Sequence, residues 1–153
     1  MKPAYVFVVF VAFAAGCSDL LRNKPQEIDF LGTWSASKID PDVHTYLAKG
    51  KEALRGSSPP SFDIRKDGKA MVANLPTVVG YDQAVILNAS GSWRLLNSPN
   101  LSQEPIWDLL IICTEPKQSV RLTFHRDRRG LYLKETFDLD YNSGIEYRRG
   151  SSK

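Results

Sequence analysis

The stretch Phe30-Leu31-Gly32-Thr33-Trp34 decides the fold, because the first regular pattern of the chain begins there. A glycine stands two positions before a tryptophan, and residues 30–39 form the first predicted strand. From Ser61 onward, short segments that alternate apolar and polar residues recur between Gly, Pro, Asn and Asp. A period of two is typical of half-buried β-strands. The clearest case is residues 119–126, where Val120, Leu122 and Phe124 share one face.

About eight such strands can be counted, which predicts an all-β fold. A meander of this length closes into a small antiparallel barrel or folds as a sandwich, and closure removes the exposed sheet edges that cause aggregation. We favour the barrel. Asp67-Gly68 predicts a tight type I′ hairpin turn. Residues 40–60 differ, because their apolar residues fall near helical spacing, and they predict one short helix inserted after strand 1.

The segment before this domain predicts a signal peptide over residues 1–16. Lys2 is followed by twelve apolar residues, from Ala4 to Ala15. A helix of that length reaches only ~18 Å, which is short of the ~30 Å hydrocarbon core of a bilayer. Small residues then directly precede Cys17, a pattern that resembles a bacterial lipobox with Ala14 where leucine is usual. The resemblance implies that Cys17 becomes the lipidated first residue.

Two alternatives to lipidation remain open. Residues 12–14 also fit an ordinary A-x-A cleavage signal, which would leave a secreted protein, and the other alternative is that the apolar run stays uncleaved as an anchor. With lipidation, Ser18 does not resemble the aspartate signal for inner-membrane retention, which favours the outer membrane. The predicted organisation is a signal peptide over 1–16, a lipidated cysteine and tether over 17–29, a barrel over 30–149 and a tail over 150–153.

The composition argues against a nucleic-acid partner. The net charge is +3 and falls to +2 once Lys2 leaves with residues 1–16, and the basic residues are spread along the chain apart from the short runs Arg126–Arg129 and Arg148-Arg149. Only two cysteines occur. If Cys17 is lipidated, Cys113 is an unpaired thiol at the end of an apolar strand, where it is expected to be buried and inert. If Cys17 is not lipidated, a Cys17–Cys113 disulfide is the alternative.

Taken together, residues 30–149 resemble a lipocalin-like bacterial lipoprotein. The resemblance is carried by Gly32-Thr33-Trp34, the hairpin around Asp67-Gly68, the second glycine–tryptophan pair at Gly91 and Trp93, and the D-x-D…S-G-x-x-Y pattern of residues 138–147. In lipocalins an arginine of the last strand packs over the tryptophan of the first. The resemblance therefore implies a barrel-closing structural pair of Trp34 and Arg149, with Arg148 as the alternative.

Catalytic chemistry finds no support in the sequence. His44 and His125 each stand outside any metal-binding spacing, and no nucleophile elbow or phosphate loop occurs. Asp138, Asp140 and Asn142 share the spacing of the start of a calcium loop but lack its glycine and distal glutamate, so a turn is the expected structure. We predict no enzyme activity, no metal and no cofactor.

The predicted function is that of a lipid-anchored cell-envelope protein whose barrel binds a small hydrophobic or amphipathic ligand. Small barrels hold one such ligand or are filled by their own side chains. The alternative is therefore a filled barrel that serves as a non-enzymatic interaction or scaffold protein for another envelope protein. The residues proposed to line the cavity are Met71, Trp93, Trp107, Tyr132 and Phe137.

Overall fold

The computed structural model of this protein describes residues 19–43, 58–79, 83–99, 105–138 and 143–150. Those residues form mostly strands, with one short helix. In chain order the elements are β1 (Asp19–Leu20), α1 (Glu27–Phe30), β2 (Gly32–Ile39), β3 (Ser61–Ile64), β4 (Lys69–Val79), β5 (Gln83–Pro99), β6 (Pro105–Cys113), β7 (Gln118–Asp127), β8 (Gly130–Asp138) and β9 (Ser143–Arg149).

The strands β2 to β9 form a closed antiparallel barrel of eight strands. Each strand pairs with the next along the chain, and β9 closes the barrel because it pairs with both β8 and β2. The predicted eight-stranded meander barrel is therefore confirmed. In this arrangement α1 lies at the end of the barrel where β2 begins and β9 ends, which we call the α1 end. The loops that follow β2, β4 and β8 lie at the opposite end.

The alternating apolar residues fill the inside of the barrel. Val120, Leu122 and Phe124 of β7 are fully or almost fully buried, as their period of two predicts. They belong to one hydrophobic cluster that also contains Trp34, Phe62, Ile64, Leu75, Leu87, Leu109, Ile111, Leu133, Ile145 and Tyr147. One core of this size accounts for a single barrel domain without disulfides.

Met71 faces outward, so its predicted place in the cavity is wrong. Its side chain is 47% exposed, whereas Val72 beside it is buried. The prediction put Met71 on the same face as Leu75, but the register between β4 and β5 shifts between Val72 and Leu75. Asn74 lies in this bulge with a φ of 51°, a left-handed conformation that asparagine tolerates. The extra residue moves Leu75 into the core and leaves Met71 outside.

The β3–β4 hairpin has a different turn from the predicted type I′. Of the two residues that such a turn would hold at positive φ, only Gly68 is positive, at 79°. The Gly68 N–H donates to the Arg65 carbonyl, and the Arg65 N–H donates to the Lys69 carbonyl at 2.9 Å. The result is a longer loop that ends in one left-handed glycine.

Residues 19–29, which fall within the predicted tether, pack against the barrel together with Phe30. Asp19 and Leu20 pair with Arg126 and His125 of β7, at the point where β6 no longer pairs with β7. Pro25 is buried, and Phe30 contacts both Trp93 and Phe124 through edge-to-face ring contacts. Within the described residues, this part of the predicted tether thus belongs to the packed domain.

The short helix follows the first strand of the chain, β1, as one turn at residues 27–30. The helix predicted within residues 40–60 falls mainly on residues 44–57, which lie outside the described ranges. Of that segment, Val43 is fully buried, and its N–H donates to the Asp40 carbonyl at 3.1 Å. No helix in the described part of the chain is long and apolar enough to cross a membrane.

Candidate functional site

Trp34 and Arg149 both hold the turn of α1 against the barrel. They are directly opposed on β2 and β9, and Trp34 is fully buried. The Trp34 Nε1–H donates to the Phe30 carbonyl at 2.8 Å, and Arg149 Nη1 donates to the Ile28 carbonyl at 2.8 Å. The last carbonyls of a helix have no partner within the helix, so these two side chains satisfy them. The pair acts as a structural lock at this end.

Aromatic rings fill the barrel next to this lock. The Phe62 ring is stacked on Trp34 at 6.2 Å between centroids and meets Tyr147 edge to face at 5.1 Å. All three residues are buried. Such ring pairs contribute ~0.5–1.5 kcal/mol each beyond the area that they bury. The interior nearest α1 is therefore packed with side chains.

Trp93 and Trp107, two of the predicted cavity residues, contact the N-terminal segment at the α1 end. The Trp93 ring meets Phe30 edge to face, and its Nε1–H donates to the Arg65 carbonyl of the β3–β4 loop at 2.7 Å. The Trp107 Nε1–H donates to the Arg22 carbonyl at 3.3 Å. Both rings are half-buried against the core. Trp93 also borders a groove of about 510 Å³ between the N-terminal segment and β5, lined further by Lys24, Pro25, Gln26, Glu27, Arg94 and Leu95.

Tyr132 points to the outside of the barrel, which corrects its predicted role in the cavity. It alternates with Leu133, whose side chain is in the core, and it pairs with His125 of β7. The rings of His125 and Tyr132 stack at 5.1 Å, and the Arg148 guanidinium lies 4.8 Å from the Tyr132 centroid. The His125 side chain also points outward, but its ring is half-buried beneath these neighbours.

His125 is kept neutral by this environment. Burial lowers its pKa from 6.5 to about 4, with a further lowering by the charge of Lys134 and an opposing effect of Asp108. The Nδ1 atom is buried and makes no hydrogen bond among the described residues. Asp108, almost completely buried on the same outer face, accepts hydrogen bonds from Arg121 and Thr123. The hydrogen bonds of Asp108 on the outer face of the barrel are therefore those of a structural network.

Glu135 is a carboxylic acid that the barrel encloses. It lies on the inner face of β8, in the same alternation as Leu131 and Leu133, and is only 6% exposed. The Tyr147 hydroxyl donates to Glu135 Oε2 at 3.2 Å, and Thr77 of β4 hydrogen-bonds to the same carboxyl group. Phe137, the remaining predicted cavity residue, packs against the core two positions further on. The polar set is therefore Glu135, Tyr147 and Thr77, towards the end opposite α1.

Burial determines the protonation of this set. It raises the pKa of Glu135 from 4.5 to about 8, and the hydrogen bonds from Tyr147 and Thr77 offset only part of that rise. The pKa of Tyr147 is raised well above 10, first by burial and then by Glu135. At neutral pH the carboxyl is mostly protonated, so it can donate a hydrogen bond as well as accept one. A buried acid with a strongly shifted pKa is a feature of binding and catalytic sites.

The S-G-x-x-Y part of the C-terminal motif builds the wall around Glu135. A side chain on Gly144 would place its Cβ 2.0 Å from the Glu135 carbonyl oxygen, so only glycine lets β8 and β9 approach this closely. Tyr147 follows on the same strand and supplies the hydroxyl. No motif in the sequence singles out Glu135. The signal was present in the alternation of Leu131, Leu133, Glu135 and Phe137.

The other predicted sites are distributed as follows. Cys113 is buried, and burial raises the pKa of its thiol. Cys17 and most of the motif at residues 138–142 lie outside the described residues. No group of three His, Cys, Asp or Glu able to hold a metal ion occurs within the described ranges.

Comparison of this chain with protein-family models, with curated proteins and with solved structures found no match. The conclusions on function therefore come from the barrel, the α1 lock and the buried carboxyl.

Proposed function

We propose that this chain is a lipid-anchored envelope protein whose lipocalin-like barrel binds one small amphipathic molecule. The observation that carries the proposal is the Glu135 carboxyl, enclosed in the barrel and hydrogen-bonded to Tyr147 and Thr77. An apolar side chain would fill that place without the cost of desolvating an acid. A ligand with a polar head and an apolar body would account for the buried Glu135, because the protonated carboxyl can donate a hydrogen bond to the polar head and accept one from it.

The anchor and the binding site have separate tests. Mass spectrometry of the purified membrane form should find acyl chains on Cys17, and Cys17→Ser should release the protein into the soluble fraction. Acyl chains contribute ~0.8 kcal/mol per buried methylene, which holds a multiply acylated cysteine stably. An unmodified Cys17 in the native protein would reject the anchor and leave the binding proposal standing.

Ligand binding is tested with native mass spectrometry of the mature domain and displacement of a hydrophobic dye. Glu135→Leu should weaken displacement by ligand extracted from the native protein at least tenfold, which corresponds to about 1.4 kcal/mol. The matched control is Glu146→Gln, a carboxylate on the outer face of β9. A domain that carries no ligand and admits no dye would contradict the binding proposal.

A second function is favoured by the packing near α1. Trp34, Phe62 and Tyr147 fill that part of the interior with large side chains. If the whole barrel is filled in this way, the protein serves as a scaffold that contacts another envelope protein. Crosslinking in the native membrane followed by purification should then recover one specific protein in stoichiometric amount, and recovery of none would count against this function.

A further inference from the structure

The ordered N-terminal segment places the proposed anchor beside one particular hairpin. The backbone of Asp19 pairs with Arg126, and Arg126 directly precedes the β7–β8 hairpin of residues 127–130. Cys17 is two residues before Asp19. Two residues of extended chain span at most ~7 Å, and paired Cα atoms lie ~5 Å apart. The Cα atom of Cys17 is thus within ~12 Å of that of Arg126.

The same hairpin carries a concentrated positive charge. Arg126, Arg128 and Arg129 are exposed. The Asp127 carboxylate between them accepts hydrogen bonds from Arg148, which holds the pKa of Asp127 below its ordinary value. Asp127 also accepts the Arg129 backbone N–H at 2.8 Å, which fixes the turn. Arg148 offsets Asp127, and Asp19 lies opposite Arg126 on β1, so the tip of the hairpin presents the positive charges of Arg128 and Arg129.

We infer that this hairpin lies against the head groups of anionic lipids in the leaflet that holds the anchor. The inference rests on the proposed lipidation of Cys17. A flexible tether of about twelve residues would allow the barrel to move ~19 Å from the surface and to turn freely. The observed pairing of β1 leaves a link of two residues, so the barrel is held with one rim at the membrane. Arginine side chains within a Debye length of ~8 Å of an anionic surface are attracted to it.

In this orientation one end of the barrel faces the bilayer and the other end faces away from it. The α1 end, with the hairpin and the exposed side chain of Ile28, turns towards the bilayer. Glu27 and Asp29 on α1 offset part of the positive charge at this end. The β6–β7 turn with Lys117 lies at the opposite end, next to the half of the barrel that contains Glu135. The proposed ligand therefore enters from the side away from the membrane.

The test uses the mature lipidated protein in vesicles of phosphatidylglycerol and phosphatidylethanolamine that contain a lipid with a nitroxide on its head group. A fluorophore is attached either at Asn23→Cys, in the N-terminal segment, or at Lys117→Cys. The unsubstituted protein controls for labelling of Cys113, which is buried. Quenching at position 23 should be at least twice that at position 117.

Charge removal distinguishes orientation from mere attachment. Arg128→Gln with Arg129→Gln should bring the two quenching values together in anionic vesicles, whereas Lys66→Gln with Lys69→Gln on the β3–β4 hairpin should leave the difference in place. Equal quenching at both positions in the protein with native arginines would overturn the inference, and so would a difference that survives removal of both arginines. Absence of acyl chains on Cys17 is read separately by mass, so that failure of the anchor is not mistaken for failure of the orientation.

Discussion

Trp34 of β2 and Arg149 of β9 are directly opposed across the strand pair, and both donate hydrogen bonds to carbonyls of the same helical turn, α1. The Trp34 indole bonds to the Phe30 carbonyl and the Arg149 guanidinium to the Ile28 carbonyl, 121 positions earlier in the chain. The Arg149 methylenes also lie over Gly32, where a Cβ would be 3.9 Å from Cδ. Arg149 thus joins the start of the first barrel strand to the end of the last one.

Replacement of Trp34 by alanine should therefore destabilise the whole barrel. The side chain is fully buried in the core, and such deletions cost ~3–5 kcal/mol. Trp34→Phe keeps most of the volume but loses the hydrogen bond to Phe30, so it should cost about 1 to 2 kcal/mol. Urea unfolding of both variants measures the two values. If Trp34→Ala left the urea midpoint almost unchanged, the role of Trp34 in holding α1 against the barrel would be contradicted.

Glu135 should make the free energy of unfolding fall as the pH rises. Its pKa is about 8 in the fold and 4.5 ordinarily, so between these values the folded chain holds a proton that the unfolded chain has lost. The carboxyl is neutral in both states below pH 4.5, and the full penalty is reached above pH 8. At about 1.4 kcal/mol per pKa unit the loss amounts to several kcal/mol.

Glu135→Gln removes this titration and keeps the shape of the side chain. Unfolding in urea at pH 5 and pH 9 should show that the wild-type protein loses stability relative to the glutamine variant. Parallel pH profiles for the two proteins would mean that Glu135 ionises freely in the fold, and the buried site would be refuted.

His125 should have the opposite effect at acid pH. Its pKa is about 4 in the fold and 6.5 ordinarily, because burial disfavours the charged ring. The unfolded chain therefore takes up a proton first, and stability falls as the pH drops from 6.5 to 4. The expected loss is about 1 to 3 kcal/mol, reduced by the part of the ring that water reaches.

The variant His125→Phe retains the stack on Tyr132 and cannot be protonated. The difference in unfolding free energy between this variant and the wild type should grow between pH 7 and pH 4.5. A constant difference would show that the histidine is protonated in the fold as easily as in water.

Gly91 should not tolerate alanine, because β5 and β6 come too close there. An added Cβ would lie 2.1 Å from the Ile112 carbonyl oxygen, which belongs to the backbone and cannot move aside alone. A forced shift of this kind costs ~1–3 kcal/mol. Gly150→Ala is the control, since the nearest atom to its Cβ would be 4.0 Å away. Similar melting temperatures for both variants would contradict the close approach.

Much of the fold could be predicted because alternation is a local signal. Val120, Leu122 and Phe124 reveal the inner face of β7 without knowledge of any other strand. Met71 shows where this fails. Apolar and polar residues alternate as regularly in its segment, but the bulge at Asn74 exchanges the inward and outward positions of β4. Whether a bulge forms depends on how β5 pairs with β4.

The candidate site was harder to predict for a related reason. Lys134-Glu135-Thr136 is polar throughout, so composition hides which residue points inward. Only the position of Leu133 assigns Glu135 to the core face, and only the folded barrel brings Tyr147 and Thr77 to its carboxyl. Trp93 and Trp107 were predicted to line a cavity because large aromatic residues favour the inside, while the segment that they contact had been placed in a tether.

The closing strand of the barrel is also the last strand to be made. Until β9 is available, β2 and β8 each present an unpaired edge, and such edges recruit other chains. A chain synthesised from its N-terminus thus holds both edges open until residues 143–149 are made. Loss of a few residues of β9 should therefore harm assembly more than their number suggests.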